Sequence, residues 1–311
     1  MVDNKQSWKA WLYLSPAILL LLVFTVWPII NTVYMSMMQG YDITKVVGGQ
    51  TFTFGIENFK QVIEYKNFGI CLGNTLLLCV LTVPLSTFLA LLIAVCLNAI
   101  KPLQRLLQTI FFLPYVTNSI AIGMVFAAMF TMVGTGFSTE NPNIVTPGII
   151  NNVIEFFGGQ PINWMNEGST RAMNVVVMVI YIVWNALPFK ILILLGGLQS
   201  VNKQYYDAAK VDGTSRVRVF TRITVPLLSP MLAYVVITGF IGGFKEYSSI
   251  VGVFGEGMGQ NGQMNTMVGM IYDSLKVGNQ GRASAAALIL FAIIFVVTMI
   301  NLYVSKKKTH Y

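Results

Sequence analysis

Residues 205–230 read YYDAAKVDGTSRVRVFTRITVPLLSP, the longest charged break with helical patterning between two long apolar segments. Lys210, Arg216, Arg218 and Arg222 stand there against Asp207 and Asp212. Asp207, Ala208 and Ala209 lie on a run of good helix formers. Gly213 follows Asp212, and a glycine there predicts a turn between two short helices, because it adopts the left-handed conformation that ends a helix at no steric cost. Thr214 or Ser215 can cap the second helix. Val217, Phe220 and Ile223 then recur at spacing three, an apolar stripe of helical period. Pro226 and Pro230 close the stripe where the next apolar segment begins, since neither has an amide hydrogen to continue a helix.

The rest of the chain says what kind of solvent surrounds this break. Of 311 residues, 55% are hydrophobic and 10% are charged, whereas soluble globular domains carry about 25% charged residues. That leaves too little polar surface to solvate a folded monomer, and a lipid bilayer resolves the deficit. Cys71, Cys79 and Cys96 form no CxxC pair, and the single histidine, His310, lies in the tail. Metal and thiol redox chemistry are therefore not indicated, and no cofactor is expected. No GxxxxGK stretch occurs, so the chain supplies no nucleotide-phosphate loop of its own. No clustered His, Cys or carboxylate set marks a catalytic centre, and an enzyme is not expected.

Six apolar segments are each long enough to cross a hydrocarbon core of ~30 Å. They run roughly Leu14–Tyr34, Thr75–Leu97, Ile110–Met132, Val175–Gly197, Leu227–Glu246 and Ser284–Val304. The first has Lys5 and Lys9 ahead of it but is long and lacks a small-residue cleavage site, so it reads as a retained span. Trp8, Trp11, Trp27, Tyr13 and Tyr34 suit the two interfacial belts of that span. Basic residues set the orientation. Placing the N-terminus inside puts Lys5, Lys9, Lys101, Arg105, Lys203, the four basic residues of the break and Lys306–Lys308 on one side. Lys45, Lys60, Lys66, Arg171, Lys276 and Arg282 fall on the other, in segments about twice as long. The positive-inside rule then makes both termini and the 205–226 break cytoplasmic. The net charge of +8 is thus a topology signal and calls for no nucleic-acid partner. The outer loops are rich in Gly and Asn, carry Glu140, Glu155 and Glu167, and include NNVIEFFGG (151–159), which suits a short interfacial helix.

The break resembles the EAA loop of ABC importer permeases. That pattern runs Glu-Ala-Ala, three residues, Gly, nine residues, Ile, one residue, Leu-Pro. Here it reads Asp207-Ala208-Ala209, Gly213, Ile223 and Val225-Pro226, with every spacing kept. Asp207 replaces Glu, Val225 replaces Leu, and Thr214 stands where a small alanine is usual. Leu198-Gln199-Ser200 and the glycine-rich segment around Phe244 extend the likeness over the whole chain, and carbohydrate permeases of the MalF type are the group it is most similar to. The resemblance implies an all-α polytopic membrane fold, a single permease domain over residues 1–311 with a cytoplasmic coupling loop at 203–226. It also implies a second homologous permease, two ATP-binding subunits and an extracytoplasmic sugar-binding protein as partners, with membrane lipid around them. The residues it assigns to coupling with the ATPase are Asp207, Ala208, Ala209, Asp212, Gly213, Phe220 and Pro226.

Two further clusters bear on the cargo. The fourth segment contains Trp184-Asn185-Ala186-Leu187-Pro188-Phe189-Lys190, in which the proline loosens the helix and the lysine needs a bundle interior, a cavity, a partner or a route to the interface. The fifth ends Gly239-Phe240-Ile241-Gly242-Gly243-Phe244-Lys245-Glu246, where glycines permit close helix packing or open a cavity. Aromatic faces beside amides and carboxylates suit sugars. In carbohydrate permeases the fourth and fifth spans line the cargo site, so the resemblance makes Trp184, Asn185, Phe189, Lys190, Gly243 and Glu246 the candidate substrate-binding set. Lys190 and Glu246 have two readings: a mutual ion pair beside a neutral sugar, or a free Lys190 that binds an acidic one. In the third segment Pro114, Tyr115 and Asn118 line the path or bond between helices. The alternative functions are an importer of an acidic sugar or another small polar solute, or a self-contained secondary transporter, which would show more spans, repeated halves or a buried ion relay.

Overall fold

The computed structural model describes residues 7–41, 52–100, 104–132 and 148–308. Lys5, Lys45, Lys101, Glu140 and His310, weighed above, lie outside the described residues, as do the side chains of Arg105, Lys307 and Lys308. The described chain is helical but for one short strand pair, and it divides into two compact units: the described parts of residues 1–68 with 269–292, and of 69–268 with 293–311.

In the first unit, α1 (Ser7–Leu21) and α2 (Trp27–Ser36) join through a π-turn at Leu22–Val26 into one long helix. Its apolar side chains, among them Leu12, Leu19, Phe24, Trp27 and Ile29, are exposed, as suits a helix solvated by lipid. After it, β1 (Met38–Gln39) pairs antiparallel with β2 (Thr53–Phe54), Met38 opposite Phe54. Then α3 (Glu57–Ile63) sets the buried Asn58, whose Nδ2 donates to the carbonyls of Ser36 (3.0 Å) and Met38 (2.9 Å). These bonds tie α3 to the end of the first span.

The second unit begins with α4 (Phe68–Ala99) and holds α5 (Gln104–Phe112), a 3₁₀ turn (Leu113–Val116), α6 (Ser119–Phe130), α7 (Ile149–Phe156) and α8 (Arg171–Ser200). The segment read above as a third straight span is broken: the α5 side and α6 meet at 97°. Two residues cause this. Thr117 and Asn118 are both extended, and Asn118 Oδ1 accepts from the amides of Ile120 (2.8 Å) and Ala121 (3.5 Å), an N-cap that starts a new helix in a new direction. The Asn118 side-chain carbonyl is thus spent within its own turn and does not bond between helices.

The charged break follows α8 as α9 (Gln204–Val211), α10 (Arg216–Val219), a π-turn (Phe220–Thr224) and α11 (Val225–Leu227). α12 (Ser229–Phe244) then bends away by 68°. Its start is fixed by Pro230 in the first turn. α13 (Ser248–Phe254), α14 (Met267–Lys276) and α15 (Gln280–Lys308) complete the chain. α7 matches the interfacial helix expected near 151–159. The expected fifth span to Glu246 ends at Phe244, and α13 turns off at Tyr247, whose φ of −151° and ψ of −54° are not helical. α13 crosses α6 with backbones nearly touching: a β-carbon on Gly123 would lie 2.7 Å from the Gly252 carbonyl carbon. Among the described residues four helices are long and apolar enough to cross a membrane, and up to six when each bent pair counts as one span.

Candidate functional site

Two apolar clusters fill the second unit. One gathers Leu78 with Val177, Met178, Tyr181, Phe126 and Ile250; the other gathers Ala90, Leu91 and Leu97 with Ile191, Leu194, Leu198, Leu228 and Val235. Along α4 and α8 the clusters leave a gap at residues 79–87 and 183–190, and the polar side chains of both helices meet there. Lys190 is 4% exposed. Its ammonium donates to Val83 O (3.2 Å), Ser86 Oγ (2.7 Å) and Thr87 Oγ1 (2.9 Å), all on α4. An ammonium has three donors, and all three are spent. Burial of the charge is offset by this full set of bonds. Among the described residues no ion pair joins Lys190 to Glu246, and Lys190 does not reach for an interface. Lys190 thus meets the need for a bundle interior: it cross-links α4 to α8, neither paired with Glu246 nor carrying a free donor.

Beside this cross-link lies a cavity of about 240 Å³. Asn185, Phe189 and Lys190 of α8 line it, with Gly243 of α12 and Glu246 just beyond the end of that helix. Tyr115 enters from the 3₁₀ turn and stacks on Phe189, centroids 5.7 Å apart and planes 17° from parallel. The break in the third span is what turns Tyr115 to this position; sequence alone named Tyr115 without a direction. Trp184 does not join the lining. Helical rows of period four bring Tyr181, Asn185 and Phe189, and Ile182, Ala186 and Lys190, to the cavity, whereas the Trp184 ring packs 5.4 Å from Phe126. Two of the three glycines of α12 serve packing, Gly239 and Gly243. A β-carbon on Gly243 would lie 2.9 Å from Cys79 Sγ, and one on Gly239 would lie 3.1 Å from Val83 and 3.2 Å from Lys190 Nζ. The Glu246 carboxylate accepts from the Ser249 hydroxyl and amide.

Sequence reasoning missed Ser86, Thr87 and Tyr181. The first two read as ordinary helix hydroxyls, and only the position of Lys190 across from them makes them partners. Tyr181 is buried in the apolar cluster and donates to Ser119 O at 2.8 Å.

The 205–226 segment forms a compact helical hairpin. α9 ends in a Schellman turn: Thr214 N donates to Ala209 O (2.9 Å) and Gly213 N to Lys210 O (3.1 Å). Gly213 has φ +63°, and Asp212 sits at the C-cap. Asp207 lies in the first turn of α9, Ala208 beside it is exposed, and Ala209 is buried. Ser215 stands at the N-cap of α10 without a side-chain bond. The expected stripe Val217–Phe220–Ile223 is displaced by the π-turn, which adds a residue to the helical turn. Val217 is exposed, while Phe220 and Val225 pack against the cluster of Leu194, Leu198 and Leu228. Pro226 starts α11 and lines a shallow apolar groove with Leu232 and Val304.

Comparison with known proteins follows the same lines. The family model described as "Binding-protein-dependent transport system inner membrane component" matches residues 82–310. The arabinooligosaccharides transport system permease protein AraP of Bacillus subtilis is 28% identical over 95% of this chain and 88% of its own length. The lactose transport system permease protein LacF of Rhizobium radiobacter is 27% identical over 94% and 91%. In a crystal structure of a bacterial ABC transporter involved in the import of the acidic polysaccharide alginate, one chain superposes with a TM-score of 0.77 at 20% identity, covering 99% of this chain and 98% of that one. This likeness is one of fold. With the matched model spanning most of the chain, including the charged break and the helices on both sides of it, the protein belongs to the family of binding-protein-dependent transport system inner membrane components and is a multi-pass permease of the ABC importer kind.

Proposed function

We propose that this permease is the membrane path for a sugar or oligosaccharide in an ATP-driven importer, and that it works as one permease domain over residues 1–311. The single observation that carries the reading is the cavity beside Lys190. The stacked Tyr115–Phe189 pair offers an apolar face to a sugar ring, and Asn185 and Glu246 offer polar groups for hydroxyls. At about 240 Å³ the cavity suits one ring or the end of a chain, since sites for drug-sized ligands run ~300–1,000 Å³. The names of AraP and LacF, both sugar systems, point the same way.

The partners in this reading are a second homologous permease, two ATP-binding subunits and an extracytoplasmic sugar-binding protein. The hairpin at 203–226 docks on an ATP-binding subunit from the cytoplasm. Its apolar side chains Tyr205, Val211 and Val217 are exposed, Val211 by 89%, and an exposed apolar patch beside four basic residues suits a protein groove. Phe220 roots the hairpin in the core between α4 and α8. A push on the hairpin therefore reaches the helices that line the cavity. Bond chemistry takes place in the ATP-binding subunits, and this chain moves its cargo by exposing the cavity to each side in turn.

Two measurements test the reading. Gly213→Val should abolish sugar uptake while ATP hydrolysis continues or the ATP-binding subunit is lost. A β-branched side chain at φ +63° is strained even though open space surrounds it. Normal uptake by this variant would remove the hairpin from coupling. For topology, a cysteine at Thr214 should react with impermeant reagent from the cytoplasmic side, and one at Phe156 from the opposite side. Phe156 is 85% exposed, whereas Asn151 is fully buried and bonded to Ile162 and Trp164, so it cannot report on that loop.

A further inference from the structure

Five of the nine donor-bearing side chains that line the cavity spend their donors within the fold. Of its hydroxyls, Ser86 donates to Thr82 O, Tyr181 to Ser119 O, Thr238 to Tyr234 O and Ser249 to Glu246. Lys190, the one cation among the described lining residues, has no proton left for a ligand. Glu246 is the one carboxylate in that lining. A carboxylate has about four acceptor sites, and among the described residues Ser249 alone bonds to this one, through its hydroxyl and its amide. Acceptor capacity therefore remains on Glu246 at the cavity wall. Asn185, beside the Tyr181 hydroxyl, and the hydroxyls of Tyr115, Thr82 and Ser119 are the lining side chains with donors still to offer.

We infer that Glu246, in its ionised form, selects cargo by charge: the cavity takes a sugar bearing an ammonium group most readily, a neutral sugar next, and a uronate least. The inference rests on the cavity being the sugar site, as proposed above. A hydroxyl or ammonium brings the donors that Glu246 lacks, and a charge-assisted bond is about twice as strong as a neutral one. A sugar carboxylate brings only acceptors and a like charge, which is repelled where few waters screen it. Lys190 would offset that repulsion only by giving up a bond to α4. Glu246 thus acts in specificity, and Lys190 holds the wall.

The test is equilibrium binding to the assembled importer in nanodiscs. The probes are three radiolabelled disaccharides of one linkage, ending in glucosamine, glucose or glucuronate. Wild-type protein should bind the glucosamine and glucose forms roughly tenfold or more tighter than the glucuronate form, as like charges at short range require. Glu246→Gln should bring all three within about threefold, since the amide keeps the shape and loses the charge. Glu246→Asp, which keeps the charge, should keep the ranking, and it guards against a general effect of altering this position. Equal or tighter glucuronate binding by wild type overturns the inference, as does an unchanged ranking in Glu246→Gln. Phe189→Ala separates the two levels of the argument. If it leaves binding of all three sugars unaltered, or if wild type binds none of them, the cavity is not the sugar site and both readings fall. If it weakens all three and wild type binds glucuronate as tightly as the others or tighter, the site stands and charge selection by Glu246 falls.

Discussion

Two of the spans with prolines run straight, and two bend sharply. α4 contains Pro84 and α8 contains Pro188, yet they run unbroken for 32 and 30 residues. The span with Pro114 bends by 97°, and the one with Pro226 and Pro230 bends by 68°. The difference teaches that a proline in an apolar span weakens a helix without ending it. The freed carbonyl finds other partners in a packed bundle. A break needs a second event that starts a new helix. At Asn118 that event is a side-chain cap on two amides; at Leu228 it is a second proline four residues after the first. Function follows the same division. The straight pair is pinned at Lys190 and forms the wall of the cavity, while the bent pair swings Tyr115 and Glu246 toward it.

The largest effect should come from unpinning the straight pair. Lys190→Met removes three hydrogen bonds from a buried charge, and a loss of about 3 kcal/mol is expected in thermal unfolding of the detergent-solubilised protein. Glu246→Gln should not rescue it, because no ion pair joins the two residues. Rescue would restore the mutual-pair reading and dissolve the contrast between wall and selector.

Next is the contact between a straight and a bent helix. Gly243→Ala places a methyl group 2.9 Å from Cys79 Sγ, and overpacking of this kind costs roughly 1–3 kcal/mol. Cys79→Ala should recover most of that stability in the double variant. If the single change is silent, α12 is not held against α4 as described.

Breaking the bend itself should cost less. Asn118→Ala removes the cap on Ile120 and Ala121, worth about 1 kcal/mol. Sugar affinity should fall with it, because the turn positions Tyr115 against Phe189. Unchanged stability and affinity would show that packing of α6 on α13, and not the cap, sets the angle. The smallest effect belongs to the proline in the straight helix. Pro188→Ala should shift stability by no more than about 1 kcal/mol and leave uptake intact, as expected where a bundle already satisfies the helix. A large loss of uptake would instead make Pro188 a working hinge.

Particular residues mark how far the sequence could be read. The six spans, the turn at Gly213 and the short helix near 151–159 follow from local rules: apolar length, a glycine after a helix, and amphipathic period. These depend on neighbours within a turn or two of chain. The expected stripe through Val217 failed because a π-turn at Phe220–Thr224 shifts the period, and no local signal announces that extra residue. The third span was read straight because hydropathy does not register a cap. Asn185, Phe189, Gly243 and Glu246 were named together and do share one cavity, while Trp184, one residue from Asn185, faces Phe126.

The chemistry of the lysine shows the limit most plainly. From sequence, Lys190 had to face something polar, because an unpaired charge in an apolar span is too costly to leave alone. That requirement is local and was legible. Which oxygens meet it was not, since Val83, Ser86 and Thr87 lie more than a hundred residues away along the chain. By itself the sequence determined the spans, the charged hairpin and the presence of buried polar groups among apolar helices. Tertiary structure alone decided how those groups are shared out. The packing of α4 against α8 consumed the donors of Lys190 and left the acceptors of Glu246 at the cavity wall.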